Sequence, residues 1–408
     1  MNNIKLKILV LLYEISIGMT FKLIGTMSVG WLIAFMYAIT IFPLTGIKKL
    51  VEIKQITKIY ALLLAFTLLA EIMVGNSYNN IAKSLAVIII SFSSFVFLFS
   101  IVVRDLSSIL WIYAGIIIRM LIFGEESPSS AEDALSGEDA TLLKFYIGPL
   151  IIYFLMIFSN YVKGKFFSYI LVYTGIIFVV AGARSLGLIL FFIGCISWFV
   201  IVKRQKVSLF FKRFTVPLML LSYFTYCIYI TNIINGNISA GNNNQILASD
   251  NPYNPIEIIK YSRSDAWVGV TAWLDAPLWG HGSWAYDTTM KYHVMMAELT
   301  GNVFNPNNIG SGLIPGHSVI IGTGVKNGII PMIIISVLVF FFVRRGWQLL
   351  NVERKYLVIL LYNMIYLIWH SLFSPTGHIR DSFPLFFAII LSLYVHHKYD
   401  LSGDCLKK

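Results

Sequence analysis

The chain has 408 residues, of which 57% are apolar and 12% charged, with a formal net charge of +11. Soluble proteins carry about 25% charged residues. Here the apolar residues instead fall in runs of about 18–24, long enough to cross a hydrocarbon core of ~30 Å, which excludes a soluble enzyme, a disordered chain and a secreted disulfide scaffold.

An all-α, polytopic membrane protein of about 12 transmembrane helices is therefore expected. In chain order the spans are about 7–26, 28–45, 57–75, 80–103, 105–123, 142–161, 166–182, 186–202, 214–234, 317–343, 355–374 and 382–396, by the apolar-run rule. The first run contains Glu14 and lacks a small-residue cleavage motif, so it reads as a retained span rather than a signal peptide. Lys and Arg stay on the cytoplasmic side of a membrane. Of the 31 basic residues, 21 fall on alternate connections: Lys5 and Lys7; Lys48, Lys49, Lys54 and Lys58; Arg104; Lys163 and Lys165; the group from Lys203 to Arg213; Arg344, Arg345, Arg354 and Lys355; and Lys398, Lys407 and Lys408. Both termini are then cytoplasmic, and the positive charge answers membrane orientation rather than nucleic acid. Cys195, Cys227 and Cys405 show no CxxC spacing and read as small hydrophobes, not a metal site or disulfide frame.

This ladder divides the chain into an N-terminal membrane part, 1–234, an outer loop, 235–315, and a C-terminal membrane part with a cytoplasmic tail, 316–408. A second outer loop is short and acidic, Glu125 to Asp139, and reads as a solvated hairpin. The large loop opens on an Asn/Gly-rich stretch with a weak glycosylation sequon at Asn237. A helix is expected from Pro255 to Ala276, because Pro suits a first helical position and Pro277 ends it. Ala266, Trp267, Val270, Trp273 and Leu274 would form an apolar face lying on the membrane surface. Arg263, one turn before Trp267, is either a phosphate-facing group on that face or a solvated cation.

The scarce charges near the outer boundary are the functional candidates. Arg184, in the short turn Gly182–Ser185, goes against the positive-inside bias, and a guanidinium fork suits an anionic headgroup. A snorkelling side chain is the alternative. His317 stands where the large loop re-enters the membrane and is either a proton acceptor for a hydroxyl or a structural helix start. Lys326 lies nine residues further along the same expected span, roughly 13 Å deeper at 1.5 Å per residue. It is a functional group or a partner for Glu71. Arg380 and Asp381 occupy the last outer turn and can pair with each other. His370 and His378 do not match a zinc spacing. Arg119, inside span five, should face the bundle interior.

The order of these pieces resembles the O-antigen ligase and polymerase superfamily of bacterial envelope glycosyltransferases. Four pieces carry the resemblance: Ala183-Arg184-Ser185 opening a span; Arg263 and Trp267 followed by Asp275 to Gly282; His317 to Gly328 opening a span; and Ile379 to Pro384 before the last one. The resemblance implies a metal-independent, inverting, cofactor-free glycosyltransferase in the bacterial inner membrane, with its site facing the periplasm. Its donor would be a glycan on undecaprenyl diphosphate and its acceptor another glycan or lipid A–core, with a chain-length regulator and a flippase as partners. Carried over by position, Arg184 and Arg263 would hold the diphosphate, with Arg380 a weaker third. His317 would be the general base, and Lys326 and His281 accessory residues. Ligases usually show His-Asn where this chain has His317-Ser318, and Gly280 to Trp284 looks more like the polymerase-like members. A repeat-unit polymerase is therefore placed before a ligase, and a transporter or flippase is the alternative of another class.

Overall fold

The computed structural model describes residues 3–22, 25–124, 142–236, 249, 251–254, 257, 263–300, 304 and 312–400. The acidic loop, the sequon, nearly all of 255–262 and the tail beyond 400 lie outside the described residues. What is described is mostly helical: α1 (Asn3–Ile17), a hairpin of β1 (Thr20–Lys22) and β2 (Thr26–Ser28), α2 (Val29–Thr40), α3 (Val51–Met73), α4 (Tyr78–Val102), α5 (Ser108–Phe123), α6 (Gly148–Phe158), α7 (Gly164–Val180), α8 (Arg184–Ile201) and α9 (Val207–Ile234). The large loop contributes α10 (Ser264–Asp275) and α11 (Lys291–Thr300). The chain ends with α12 (Val319–Asn327), α13 (Ile329–Leu349), α14 (Leu357–Phe373), the short α15 (His378–Asp381) and α16 (Phe383–Asp400).

Among the described residues, five helices are long and apolar enough to cross a membrane: α3, α4, α8, α9 and α13. Others, including α5, α7 and α14, are apolar but shorter. The bundle turns large apolar side chains outward, among them Ile122, Phe166, Ile177, Val216 and Phe340, each more than 60% exposed. Water-soluble surfaces rarely carry so much contiguous apolar area, so this is a membrane-embedded, all-α architecture. At its centre α4 packs against α13 and α16 through aromatic rings. Phe342 stacks on Phe387 at 3.9 Å, and Phe95 meets both edge-on at 5.8 and 6.4 Å, a preferred arrangement for ring quadrupoles. Within the bundle, Arg119 is buried and pairs with Glu14 across 3.3 Å.

Three expectations change. The first apolar run does not continue to residue 26: α1 stops at Ile17 and the chain reverses through the hairpin, where Thr20 pairs with Ser28. Thr20, Phe21 and Thr26 suit strands, and Gly25, with φ 100°, allows the reversal between them. The expected span 317–343 is two helices. Gly328, with φ 79° and ψ −172°, separates α12 from α13, a conformation essentially confined to glycine. A Cβ there would stand 1.9 Å from the Leu278 carbonyl oxygen. Lys326 thus lies in the last turn of a nine-residue helix, just before the break. Finally, the loop helix begins at Ser264, so Arg263 precedes it. Its buried face is Val268, Gly269 and Ala272, while Trp267 and Leu274 remain exposed at 47% and 61%.

The break at Gly328 is where the loop docks. His281 N–H donates to Val325 O (2.7 Å), Gly282 N–H to Lys326 O (2.9 Å) and Ile329 N–H to Pro277 O (2.9 Å). The end of α12 therefore hands its unpaired carbonyls to the loop. Gly280, at φ 71°, makes the approach possible, since a Cβ would lie 2.5 Å from the Lys326 carbonyl carbon. Glu71, fully buried near the end of α3, fastens the same region. It accepts from Asn76 Nδ2 at 2.6 Å, from Asn327 Nδ2 at 3.0 Å and from Ser283 N–H at 3.3 Å. At the other end of α3, Glu52 accepts from Lys398 Nζ at 2.7 Å.

Replacing Glu71 by Leu orphans these donors, at about 1–3 kcal/mol for each buried group left unmade. Gly328→Ala adds about 1–3 kcal/mol of backbone strain before its clash is counted. Each variant should lower the melting temperature of the detergent-solubilised protein by several degrees. An unchanged melting curve for Glu71→Leu would show that the buried carboxylate does not secure the loop.

Candidate functional site

A cavity of about 540 Å³ opens between the hairpin, α3, α4, α12 and the turn 375–377. Its lining combines apolar side chains, Leu63, Val87, Ile88, Ile90 and Ile335, with Lys83, Lys326, Arg380 and His317 and with Thr67, Ser84, Thr323, Asn327 and Thr376. Among the described residues this lining includes no Asp or Glu. Three cations around one space without a carboxylate attract an anion, and the apolar side chains suit a molecule with a greasy part.

Each cation is held in place. Lys326 Nζ donates to Thr376 Oγ1 at 2.5 Å and lies 5.4 Å from the Trp284 ring centroid; Lys83 approaches the same ring at 5.7 Å. One indole therefore steadies two ammonium groups, each by a cation–π contact. Trp284 holds φ 58°, a left-handed conformation costing a non-glycine residue about 1–3 kcal/mol and found mainly where function requires it. Arg380 stacks over Trp31 at 4.2 Å and pairs through Nε with Asp381 Oδ1 at 3.1 Å. Asp381 therefore orients the guanidinium from behind the wall.

A second chamber of about 280 Å³ shares Trp284, His317, Lys326, Pro375 and Thr376 with the first. It adds Asp265, His293 and apolar side chains such as Met296 and Ile314. His317 is thus common to both spaces. Its Nδ1 lies 3.6 Å from Asp265 Oδ2, and both side chains are partly exposed. The carboxylate thus faces the Nδ1 edge of the ring, beyond hydrogen-bond distance.

The remaining candidates stand elsewhere. Arg184 is exposed at the start of α8 against the ring of Tyr229, 5.5 Å away, and borders neither chamber. Arg263 also lies outside both walls, 5.3 Å from the rings of Trp369 and Phe373. Burial lowers its guanidinium from the usual value, and the charge of nearby Asp265 partly restores it. The expected convergence of Arg184, Arg263 and His317 in one cavity is therefore replaced by Lys83, Lys326, Arg380 and His317. His281 is engaged within the loop, with Nε2 2.7 Å from Ala272 O and its ring edge-on to Tyr292. Of the two alternatives for Lys326, an ion pair with Glu71 is not formed, because amide groups occupy the carboxylate and Thr376 the ammonium. His370 and His378 stack at 4.1 Å beside the turn 375–377, each with Nδ1 on a serine hydroxyl.

Sequence reasoning missed Lys83, Asp265, Trp284 and His293. A signal existed for Lys83, an ionisable residue early in an apolar run. None existed for the others, which gain their position from loop docking. Comparison with family models, with curated proteins and with solved structures returns no match.

Inorganic pyrophosphate is a direct probe of the cationic wall. Removing one charge-assisted contact costs about 1.5–3 kcal/mol, and about 1.4 kcal/mol is tenfold in affinity. Lys83→Gln, Lys326→Gln and Arg380→Gln should each weaken pyrophosphate binding at least about tenfold in calorimetry. Lys22→Gln, on the exposed β1 strand, should not. Equal binding by all four variants would place the anion elsewhere.

Proposed function

We propose that the chain is an integral membrane glycosyltransferase that polymerises undecaprenyl-diphosphate-linked repeat units at the outer leaflet of the bacterial inner membrane. The observation that carries this reading is the cavity lining of Lys83, Lys326 and Arg380, free of carboxylates among the described residues and shared with apolar side chains. An amphiphile with an anionic head fits that combination. In this reading the diphosphate lies against the three cations and the polyprenyl chain along Leu63, Val87 and Ile335.

The acceptor enters through the second chamber. Its hydroxyl attacks the anomeric carbon as the bond from that carbon to the diphosphate oxygen breaks, with inversion. The hydroxyl proton passes to His317, whose charge Asp265 stabilises. The electron pair leaves with the diphosphate, where fixed cations stabilise the developing charge without a metal. Arg263 acts through Asp265 rather than on phosphate directly, and Arg184 is a snorkelling cation at the bilayer edge. Twelve crossings, two cytoplasmic termini and a periplasmic loop complete the reading. Its support is that α3 carries Glu71 at the cavity end and Glu52, with Lys398, at the other, roughly 28 Å apart at 1.5 Å per residue.

One observation favours a flippase as the second reading: the helix broken at Gly328 lines a polar cavity, as broken helices do in transporters. The two readings part at His317. In a polymerase, His317→Ala should reduce glycan extension by at least about a hundredfold, the lower range for a general base, with unchanged protein in the membrane. Deleting the gene should leave single repeat units on the surface lipid when the glycan is run on a gel. Long lipid-linked chains beside bare acceptor would mean a ligase. Undecorated acceptor with repeat units trapped on the cytoplasmic face would mean a flippase.

A further inference from the structure

The second chamber is lined by His293, which the proposed reaction does not use and which Asp287 holds from outside the lining. Asp287, just before α11, points its Oδ2 at three N–H groups: Tyr292 N at 2.9 Å, His293 N at 3.0 Å and His293 Nδ1 at 2.9 Å. Two of these are backbone donors at the start of a helix, where a carboxylate is stabilising. That much is structural. Burial raises the Asp287 carboxyl, but the hydrogen bonds from His293 and Tyr292 outweigh it and leave the group below the usual carboxylate range.

The third bond does something the cap does not need. An ionised carboxylate only accepts, so His293 Nδ1 must carry the proton, and a neutral ring then has a lone pair on Nε2. Both side chains are more than 90% buried, yet His293 forms part of the chamber wall with Asp265 and His317. The Nδ1 edge is taken by Asp287, so the nitrogen left for the chamber is Nε2. The second chamber shares Lys326 and His317 with the first but adds Asp265 and His293, so that acceptors stand beside Trp284 and apolar side chains. Acceptors beside an aromatic ring match a neutral, polyhydroxylated ring, whose hydroxyls donate and whose C–H faces pack on indole.

We infer that His293, aligned by Asp287, positions the acceptor sugar: Nε2 accepts a hydrogen bond from one of its hydroxyls and holds the sugar in the second chamber. This rests on the glycosyltransferase reading. It assigns no proton transfer to His293, which makes it a binding residue for the acceptor.

Two substitutions separate this role from a purely structural one. His293→Asn places an amide N–H where Nδ1 was, keeping the bond to Asp287 and losing the acceptor at Nε2. His293→Gln reaches the Nε2 position with an amide oxygen and gives up the inner bond. Each is returned to the deletion strain, the surface glycan is run as a ladder, and chain extension is normalised to the protein accumulated in membranes. The inference expects His293→Asn to reduce extension at least tenfold while accumulating like wild type, and His293→Gln to restore extension above the Asn variant. A structural role expects the reverse order, so Asn equal to or above Gln would overturn it. If either variant fails to accumulate, Met296→Trp decides by filling the chamber away from the pair: lost extension supports an acceptor chamber, and a full ladder overturns it. A deletion strain whose glycan is unchanged would overturn the glycosyltransferase reading itself, and the inference with it. A shortened ladder in the deletion strain with full complementation by His293→Asn would overturn the inference alone.

Discussion

A buried carboxylate bound by amide donors holds the site together. Glu71 has no exposure and takes hydrogen bonds from the turn before α4, the docked loop and the last residue of α12. A carboxyl group inside a low-dielectric bundle is tolerated only when its oxygens are satisfied. Asn76, Ser283 and Asn327 do this for Glu71. The consequence is geometric: three segments far apart in the chain share one anchor. Lys326 and Trp284 each follow or precede an anchored residue by one position, and Lys83 lies a little further along α4. Their common cavity wall follows from that anchor and from the glycines at 280 and 328, which let the loop reach the helix break.

In the proposed topology, the cations on alternate connections set membrane orientation. Ten remain, and three of these, Lys83, Lys326 and Arg380, line the same cavity. Each is pinned by an aromatic face and two also by a polar partner, so little reorganisation is needed when an anion arrives. Beside them, His317 belongs to both chambers, of which the second adds Asp265 and His293. Such a junction is what transfer between a lipid-linked anion and a sugar hydroxyl requires.

The all-α, membrane-embedded class was legible in the sequence, because burial in lipid demands apolar runs, and among the described residues those runs form helices, five of them long enough to cross a membrane. Where it failed, the physics is local. Gly328 breaks one long run, which hydropathy cannot register because a glycine barely changes an average. The end of the first run hides a hairpin, since Thr20 to Ser28 is still apolar enough to extend a span. In the site, His317, Lys326 and Arg380 were legible as charges near an apolar boundary. Arg184 and Arg263 were chosen by resemblance and side-chain chemistry, and neither borders the cavity, because membrane depth says nothing about which side of a bundle a residue occupies. Asp265, Trp284 and His293 acquire their places only through tertiary contacts between loop and helix break, for which no short pattern exists.

The central claim is that this cavity transfers a glycan from a lipid diphosphate. Its most direct measurement uses the purified full chain in liposomes, with a chemically defined undecaprenyl-diphosphate-linked repeat unit as both donor and acceptor and a metal chelator present. The reading predicts products longer by whole repeat units, with inverted linkages and one undecaprenyl diphosphate released for each addition. Unextended substrate in wild-type liposomes, with the lipid merely redistributed between leaflets, would contradict it.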